Sequence, residues 1–260
     1  MPIRIMPKRI LITEWMPAYV VMNQSAADQF RELKNCILNN LNRKIIQTAD
    51  GSTTIHIEGW DETYHSKFGA IQEAKHVFIA NGLSLFEEQS VAVLEIGFGT
   101  GLNAFITYLE AEKKQQHIDY VGVEAFPISR EEREHMNYVS ALDATAYASV
   151  FETMHNCPWE APTVLSPYFI LTKRQQYFNE IDYKNRFNLI YFDAFGFHVQ
   201  PELWTTEIFK IMFEALQEKG TLVTYACRGP IKRALQEAGF KTEKLPGPPG
   251  KREMLRATKC

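Results

Sequence analysis

Three glycines alternate with other residues in a short segment that follows an apolar run. Gly97, Gly99 and Gly101 come directly after Val91–Ile96, and an apolar helical pattern begins at Leu102. Glycine lets a backbone turn sharply and approach a ligand without a clash at Cβ, and the start of a helix presents free N–H groups. A strand, a glycine turn and a helix in this order predict a ligand site at the carboxyl end of a parallel sheet.

The spacing of these glycines separates two kinds of nucleotide ligand. The dinucleotide fingerprint is GxGxxG, and Leu102 occupies its third glycine position here. The pattern is instead E-x-G-x-G-x-G and resembles motif I of the class I methyltransferases, in which the acid after the next strand holds the ribose of S-adenosyl-L-methionine. We therefore predict S-adenosyl-L-methionine as the cofactor. The predicted binding residues in and after this motif are Glu95, Gly97, Gly99, Gly101, Asn103 and Glu124.

A further apolar run, Phe187–Phe192, ends in Asp193. A lone aspartate in such a place is often a turn or helix-capping residue. Because the carboxyl ends of parallel strands meet at one edge of the sheet, Asp193 is expected to border the same crevice and to face the transferable methyl group.

The order of apolar runs and helical patterns from Val91 onward predicts the fold class. Strand-like runs at 91–96, 120–124, 187–192 and 221–227 alternate with helical patterns at 102–111, 206–218 and 231–238. This alternation predicts an α/β fold of the class I methyltransferase (Rossmann-like) type, with a mostly parallel seven-stranded sheet and helices on both faces. The last two runs, Phe240–Leu245 and Arg252–Thr258, are joined by a short loop and predict an antiparallel C-terminal edge.

The first third of the chain has a different pattern. Asp50-Gly51 is a two-residue turn signal that predicts a hairpin over 45–57, and the spacing of apolar residues predicts a helix over Ala70–Asn81. Ala26–Leu41 also has helical spacing. We expect three parts: an N-terminal extension of uncertain role (1–44), a hairpin and helix packing on the core (45–85), and an S-adenosyl-L-methionine-dependent methyltransferase domain (86–260).

Composition and charge limit the possible classes of protein. No apolar run reaches the roughly 18 residues that span a bilayer, and the four cysteines are far apart and form no CxxC pair. We therefore expect a cytoplasmic protein with no metal site and no membrane association. The net charge of −3 does not indicate a nucleic-acid binder. From residue 221 onward, however, nine lysines and arginines face only three glutamates, which predicts either a basic face for an anionic polymer or an ordinary solvated surface.

Several short segments together resemble one family. They are Asp50–Thr54, Tyr64–Ala70, Glu73–Phe78, Leu94–Asn103, Phe192–Phe195, Pro201–Thr205 and Lys251–Leu255. The family is that of the MnmC-type tRNA methyltransferases, which finish 5-methylaminomethyl-2-thiouridine at the wobble position of tRNA, and the resemblance covers residues 45–258. It implies N-methylation of the 5-aminomethyl group of wobble uridine (U34), with the tRNA anticodon stem-loop as partner. In many bacteria this domain is fused to a flavin-dependent oxidase, and we expect the stand-alone form, without a fused flavin oxidase domain.

The resemblance also implies roles for individual residues. Asp193 is the expected catalytic residue, as a base or by orienting the amine, and Tyr64 and Asp193 are expected near the cofactor. The expected substrate or RNA contacts are Phe195, His198, Arg228, Lys232, Arg233, Lys251 and Arg252. Either Glu180 or Asp182 is expected to contact the adenine. Many relatives have Ala-Pro-x-Lys after the Asp-Ala-Phe element, whereas this chain has 196–200 as Gly-Phe-His-Val-Gln, so a substrate-binding lysine is not expected there.

Other functions compatible with the same fold stay open at this stage. One is a small-molecule amine methyltransferase or an aminopropyltransferase, although the latter usually carries a GGGxG turn. Another is a non-catalytic RNA-binding module. Glu73 and His76 share one predicted helix and are expected to bond each other, and Trp204 is expected either in the core or stacked on a base.

Overall fold

The computed structural model describes residues 42–260, which lie within one compact unit. The helical prediction for Ala26–Leu41, and all but the last three residues of the expected extension, lie outside the described residues. The strands are β1 (Arg43–Gln47), β2 (Thr53–Ile57), β3 (Glu62–Thr63), β4 (Val91–Ile96), β5 (Ile118–Val123), β6 (Pro162–Ser166), β7 (Phe169–Arg174), β8 (Phe187–Phe192), β9 (Leu216–Thr224), β10 (Lys241–Pro246) and β11 (Glu253–Thr258). The helices are α1 (Ala70–Ala74), α2 (Leu102–Lys114), α3 (Arg130–Glu134), α4 (Tyr138–Ala141), α5 (Ala148–Asn156), α6 (Thr206–Ala215) and α7 (Gly229–Glu237).

The main sheet has the order β10-β11-β9-β8-β4-β5-β7-β6. Its centre is parallel, since β4 pairs in parallel with both β5 and β8, and the same direction continues to β7 and β9. After β4 the chain builds outward through β5 to β7, and it then crosses to the other side of β4 to form β8. This change of direction opens a crevice between the carboxyl ends of β4 and β8, which is where open α/β sheets bind ligands.

The predicted fold class is confirmed, but the predicted count of seven strands is wrong. The main sheet has eight strands because β6 adds antiparallel to β7 at one edge. Residues of β6 are exposed or half-buried, with Val164 71% exposed. An edge strand with little burial lacks the continuous apolar run that marks the central strands. The predicted antiparallel edge at the other side is present as β10 and β11, with β11 lying between β9 and β10.

Both faces of the sheet are covered, as predicted. One face packs against α1, α2 and α5, and the other packs against α6 and α7. Neighbouring residues of β8 divide between the two cores: Tyr191 belongs to the first, whereas Ile190 and Phe192 belong to the second. This explains why β4 and β8 are nearly continuous apolar runs in the sequence.

The predicted hairpin is present as β1 and β2, with a short third strand, β3. Its turn is longer than the predicted two residues, because the Thr48 N–H donates to the Ser52 carbonyl (2.8 Å) across Ala49, Asp50 and Gly51. The hairpin packs on the main unit through Asn137, whose side chain accepts from the Thr53 N–H (2.8 Å) and donates to the Gly51 carbonyl (2.9 Å).

The predicted helix over Ala70–Asn81 is confirmed, and its second half is π-helical. The α-helical turn Ala70–Ala74 continues as a π-helix over Lys75–Ala80. Ile71, Ala74, Val77 and Phe78 all lie in the core, as the spacing predicted. In the part of the chain that the structure describes, no helix is both long enough and apolar enough to cross a membrane.

Candidate active site

The glycine turn connects β4 to α2 at the crevice between β4 and β8. Gly97, Gly99 and Gly101 have φ values of 91°, 48° and 73°, a region that favours glycine. A Cβ on Gly97 would lie 2.7 Å from the Asp193 carbonyl oxygen, so only glycine allows the two strand ends to approach this closely. The Asp193 N–H also donates to the Ile96 carbonyl (2.9 Å), which fixes Asp193 beside the turn.

Glu124, which the sequence predicts to bind the ribose, lies against the same turn. One carboxylate oxygen accepts from the Gly99 N–H (3.0 Å) and the other from the Phe126 N–H (2.9 Å). Burial raises the pKa of the Glu124 carboxyl, and the backbone donors oppose this effect. The ring of Tyr64 also lies against the turn, 3.3 Å from where a Cβ on Gly99 would lie. The structure therefore brings together three parts of the predicted cofactor site.

Asp193 is the end of a short chain of buried polar groups. The Asn103 amide nitrogen donates to Asp193 Oδ2 (2.8 Å) and also to Glu95 Oε1 (2.9 Å). Glu95 is fully buried and Asn103 is 3% exposed, so both residues lie behind Asp193. Asn103 Oδ1 is buried without a hydrogen-bond partner among the described residues. Such an unpaired acceptor suits a site that completes its hydrogen bonds when a ligand or water is bound.

The protonation of these two acids differs from that of ordinary carboxyl groups. Burial raises the pKa of the Glu95 carboxyl well above its usual range, which favours its protonated form at neutral pH. The pKa of Asp193 is raised from 3.8 to about 7, first by burial and then by the nearby negative charge of Glu73. The hydrogen bond from Asn103 opposes this rise. Asp193 can therefore change its protonation state near neutral pH.

A cavity of about 450 Å³ opens in front of Asp193. Tyr64 and His65 line it on the side of the N-terminal hairpin. Tyr225, at the end of β9, and Lys251, in the loop before β11, line it on the opposite side. Acidic, basic and aromatic side chains thus converge beside the glycine turn, and such a convergence of polar groups in one cavity marks a candidate active site.

Lys251 and Glu73 form an ion pair in this cavity. Lys251 Nζ also lies 3.9 Å from the centre of the Tyr225 ring, and the Tyr225 hydroxyl donates to the Ala194 carbonyl (2.8 Å). Glu73 does not bond His76 as the sequence predicted, because His76 Nε2 instead contacts the Pro246 carbonyl oxygen (2.8 Å). Sequence reasoning missed Glu73 as a site residue, although its segment was among those that carry the family resemblance.

The other predicted RNA contacts differ in whether they line the cavity. Arg228 and Arg252 are exposed and line the cavity, whereas Lys232 and Arg233 lie on α7 and do not line it. His198 is at the cavity rim, with Nε2 2.9 Å from Glu62 Oε2.

The aromatic residues near β8 are mostly packed against each other. The Phe195 ring meets the rings of Trp60 and Tyr64 edge-on, at centroid distances of 5.8 and 5.0 Å. Trp204 is 2% exposed, and its indole N–H donates to the Phe195 carbonyl (2.8 Å). Of the two alternatives for Trp204, the structure supports the core position.

The C-terminal basic charge is partly neutralised in the structure. Lys244 pairs with Glu253, and Arg256 pairs with Glu243. Lys259 is 6% exposed and donates to the Leu216 carbonyl (2.8 Å). The basic surface is therefore smaller than the sequence count suggested, and two of its exposed members, Arg228 and Arg252, line the cavity.

The two acids expected near the adenine lie after β7. Glu180 is in a 3₁₀ turn and accepts from the Tyr177 N–H (2.9 Å), and Asp182 is exposed two residues later. Neither residue lines the cavity in front of Asp193. Within residues 42–260, no group of three or more His, Cys, Asp and Glu side chains is arranged to hold a metal ion.

The C-terminal part of the chain matches a known protein family. Residues 169–260 match the model of a family described as S-adenosyl-L-methionine-dependent methyltransferase. This match lies in the C-terminal part of the chain and agrees with the fold and the glycine turn, so the predicted S-adenosyl-L-methionine cofactor is confirmed.

Within this class the chain is similar to MnmC proteins, which confirms the resemblance seen in its motifs. It is 33% identical over 228 residues to the tRNA 5-methylaminomethyl-2-thiouridine biosynthesis bifunctional protein MnmC of Burkholderia mallei, covering 81% of this chain and 34% of the relative. The match to the MnmC protein of Burkholderia multivorans is 30% over 218 residues, covering 78% and 33%. The chain thus spans about a third of the length of these curated relatives.

Solved structures support the fold. MnmC2 from Aquifex aeolicus superposes with a TM-score of 0.65 at 22% identity, covering 92% of this chain and 78% of that chain. Spermidine synthase from Thermotoga maritima superposes with a TM-score of 0.50 at 15% identity, covering 85% and 70%. At these identities the structural likeness establishes only the shared architecture.

Proposed function

We propose that the chain transfers a methyl group to the primary amine of the 5-aminomethyl group on wobble uridine (U34) of tRNA, giving 5-methylaminomethyl-(2-thio)uridine. The observation that carries this proposal is the position of Asp193, beside the glycine turn and facing a cavity large enough for a nucleobase. The names of the curated relatives refer to tRNA 5-methylaminomethyl-2-thiouridine biosynthesis, which supports tRNA as the substrate and a 5-methylaminomethyl uridine as the product.

The residues around the turn fit the cofactor. The three positive-φ glycines keep side chains away from the crevice, and Glu124 and Tyr64 both lie against the turn. We infer that Gly97, Gly99 and Gly101 approach the cofactor with their backbone, that Glu124 binds its ribose hydroxyls and that Tyr64 covers it. Glu95 and Asn103 are buried behind Asp193 and act by holding its carboxyl group in place. Bound there, S-adenosyl-L-methionine would supply an electrophilic methyl group for transfer from its sulfur to the amine nitrogen.

Asp193 accepts the proton that the amine loses. A primary amine with a pKa near 10 is mostly protonated at pH 7, and only about one molecule in a thousand has a free lone pair. An ordinary aspartate is a weak base, whereas Asp193, with its pKa at about 7, can accept a proton at neutral pH. Because Asn103 holds Oδ2, we infer that Oδ1 accepts the proton. The ionised carboxylate also attracts the ammonium form, so Asp193 orients the amine before it takes the proton.

The mouth of the cavity suits an RNA loop. Arg228 and Arg252 are exposed there, and we infer that they contact phosphates of the anticodon stem-loop. Lys232 and Arg233 extend this basic surface along α7. Phe197, which lines the cavity, and Phe195 beside it are inferred to contact the extruded base, as aromatic side chains do in single-stranded RNA recognition. His198 lies at the same rim. A cytoplasmic location follows from the proposed tRNA substrate.

The test is methylation of defined tRNA. The protein is incubated with labelled S-adenosyl-L-methionine and tRNA that carries 5-aminomethyl-2-thiouridine at U34, and the nucleosides are analysed by mass spectrometry. We expect one added methyl group on the aminomethyl nitrogen and none on matched tRNA with unmodified U34. Absence of product from protein that binds the cofactor would overturn the proposal.

Two further arms separate the alternative functions. An aminopropyltransferase would use decarboxylated S-adenosyl-L-methionine in preference and would add an aminopropyl group to a small amine. A non-catalytic RNA-binding module would bind the tRNA without any dependence on the cofactor.

A further inference from the structure

A cation of the chain itself already lies on the aromatic wall of the cavity. Lys251 Nζ is 3.9 Å from the centre of the Tyr225 ring, and it pairs with the carboxylate of Glu73. A primary ammonium group at such a distance over a tyrosine face is attracted by the negative charge of the ring face. The Glu73 side chain is only 9% exposed, so its negative charge is poorly compensated by water. Tyr225 and Glu73 therefore form a binding site for a primary ammonium group.

The walls of this place are fixed independently of Lys251. The Tyr225 hydroxyl donates to the Ala194 carbonyl (2.8 Å), and Glu73 Oε2 accepts from the Ser66 N–H (2.9 Å). Asn103 holds Asp193 in the same way (2.8 Å). Lys251, by contrast, is 30% exposed and extends from a loop on a flexible four-carbon stem. The lysine can leave while the aromatic and acidic walls stay in position.

Negative charge exceeds positive charge around the Tyr225 ring. At Asp193 the charge of Glu73 raises the carboxyl pKa more than the charge of Lys251 lowers it. At Tyr225, burial and then the charges of Asp193, Glu62 and Glu73 raise the pKa of the phenol, and the charge of Arg228 lowers it by a smaller amount. The nearby acidic groups therefore outweigh Lys251 at Asp193 and Arg228 at Tyr225, so this end of the cavity favours a bound cation.

We propose that Tyr225, Glu73 and Asp193 form an ammonium site that selects the charged aminomethyl group of the substrate, and that Lys251 fills this site until the substrate displaces it. This inference rests on the proposed function, since it assigns the place where that substrate's amine enters. The site gives specificity for a charged amine over a neutral group of the same shape. It also delivers the ammonium to Asp193, which then takes the proton.

The experiment compares two tRNAs that differ only in the group on C5 of U34. One carries 5-aminomethyl and the other carries 5-hydroxymethyl, which has a similar shape and no charge. Their dissociation constants are measured with the full chain in the presence of S-adenosylhomocysteine, which prevents turnover. The ratio of the two constants removes the contribution of phosphate contacts, because these are the same in both complexes.

The ratio is expected to respond to each member of the site in a different way. The wild-type protein should prefer the amine by about 10-fold, in line with a charge bound over an aromatic face. Tyr225→Leu and Glu73→Gln should bring the ratio to within about 2-fold of unity, whereas Tyr225→Phe keeps the ring face and should keep the preference. Lys251→Met removes the internal competitor and should increase the preference several-fold. Lys241→Met makes the same charge change at an exposed position in β10 and should leave the ratio as it is.

The outcomes separate this proposal from the proposed function. A wild-type protein that methylates the amine, but whose ratio is near unity or does not respond to Tyr225→Leu, overturns the ammonium site alone. A ratio that falls with Lys251→Met shows that the lysine helps to hold the substrate, and it overturns the displacement. Binding of S-adenosylhomocysteine checks the fold of each variant. If Glu73→Gln does not fold, the ratios of Lys251→Met, Tyr225→Leu and Tyr225→Phe still test the ammonium site. Failure of the wild-type protein to methylate the aminomethyl tRNA is a failure of the proposed function.

Discussion

Asn103 and Asp193 lie 90 residues apart in the sequence and share a hydrogen bond of 2.8 Å from the amide nitrogen to Oδ2. Asn103 is the second residue of α2, the helix that begins directly after the glycine turn. The bond therefore joins the turn to the acid at the end of β8. A ligand that shifts the turn also shifts the environment of Asp193.

Replacing Asn103 by Ala should move the pH dependence of activity upward. The bond favours the ionised form of Asp193, so its loss raises the pKa of Asp193 above about 7. A hydrogen bond to a charged group contributes about 1.5–3 kcal/mol, which corresponds to a rise of about one to two pH units. The measurement is the pH profile of kcat/KM on aminomethyl tRNA. Thr107→Val is the control, because Thr107 bonds the Asn103 carbonyl (2.7 Å), and its loss should leave the profile in place.

Asp193→Ala should reduce kcat by about 100- to 10,000-fold, the range that general base catalysis supplies. The affinity for S-adenosylhomocysteine, measured by calorimetry, should stay within a few-fold. Asp193→Asn keeps the shape and can still orient the amine, but it cannot accept a proton. Retention of most activity by Asp193→Asn would assign the residue to orientation, and unchanged turnover in Asp193→Ala would refute its catalytic role.

The raised pKa of Asp193 also predicts a pH dependence of stability. Below about pH 4 the group is protonated in both the folded and the unfolded chain. Between about pH 4 and pH 7 the unfolded chain releases this proton while the folded chain keeps it, so the group's contribution to stability falls as pH rises. The change is on the order of 4 kcal/mol across this window. Urea unfolding of Asp193→Asn should therefore show a gain over wild type that grows from pH 4 to pH 7, and a constant difference would contradict the assignment.

Gly97→Ala should disrupt both the fold and the cofactor site. The residue has a φ of 91°, and an added Cβ would meet the Asp193 carbonyl oxygen at 2.7 Å. We expect a loss of more than about 2 kcal/mol in the free energy of unfolding, together with loss of S-adenosylhomocysteine binding. Gly51→Ala is the matched control, since its φ is 84° but its Cβ would meet nothing closer than 3.9 Å. It should cost about 1 kcal/mol and leave cofactor affinity intact; equal effects on binding would contradict the role of the close approach.

Arg228→Ala and Arg252→Ala should weaken tRNA binding in a salt-dependent way. Each side chain is exposed at the cavity mouth, and removing one phosphate contact lowers the slope of log K against log salt by about 0.7 to 0.9. Fluorescence anisotropy with an anticodon stem-loop at several salt concentrations measures this slope. Arg256→Ala is the control, because Arg256 is already paired with Glu243 (2.7 Å) and should change the slope little. Equal slopes for all three variants would place the RNA on another surface.

The sequence predicted the centre of the sheet well and its edge poorly. β4 and β8 are buried on both faces, so their apolar runs have the same bounds as the strands. The sequence pattern predicts no element between β5 and β8, because the helices there are short and the apolar part of β7 is followed by Lys173, a 1% exposed lysine that reads as a surface residue. Local patterns cannot show that such a lysine is paired internally, here with the His155 carbonyl (2.6 Å).

The candidate site also has a part that the sequence predicts and a part that it does not. The glycine turn, Glu124 and Asp193 could be predicted because each follows a recognisable strand. Glu73 could not, since its partner Lys251 is 178 residues away and nothing in either local segment indicates the pairing. Tyr225 could not be predicted as a site residue either, because an aromatic residue at the end of a strand is usually a core residue.

The Glu73–Lys251 contact also bears on the order of folding. A pairing across 178 residues closes a very long loop. Contacts of such large sequence separation are slow to form, because the chain loses loop-closure entropy before the contact stabilises it. The central strands and the glycine turn can assemble from nearer neighbours, while the wall contributed by the final hairpin arrives last. We therefore expect a partly folded chain to complete the glycine turn before it completes the cavity wall that carries Lys251.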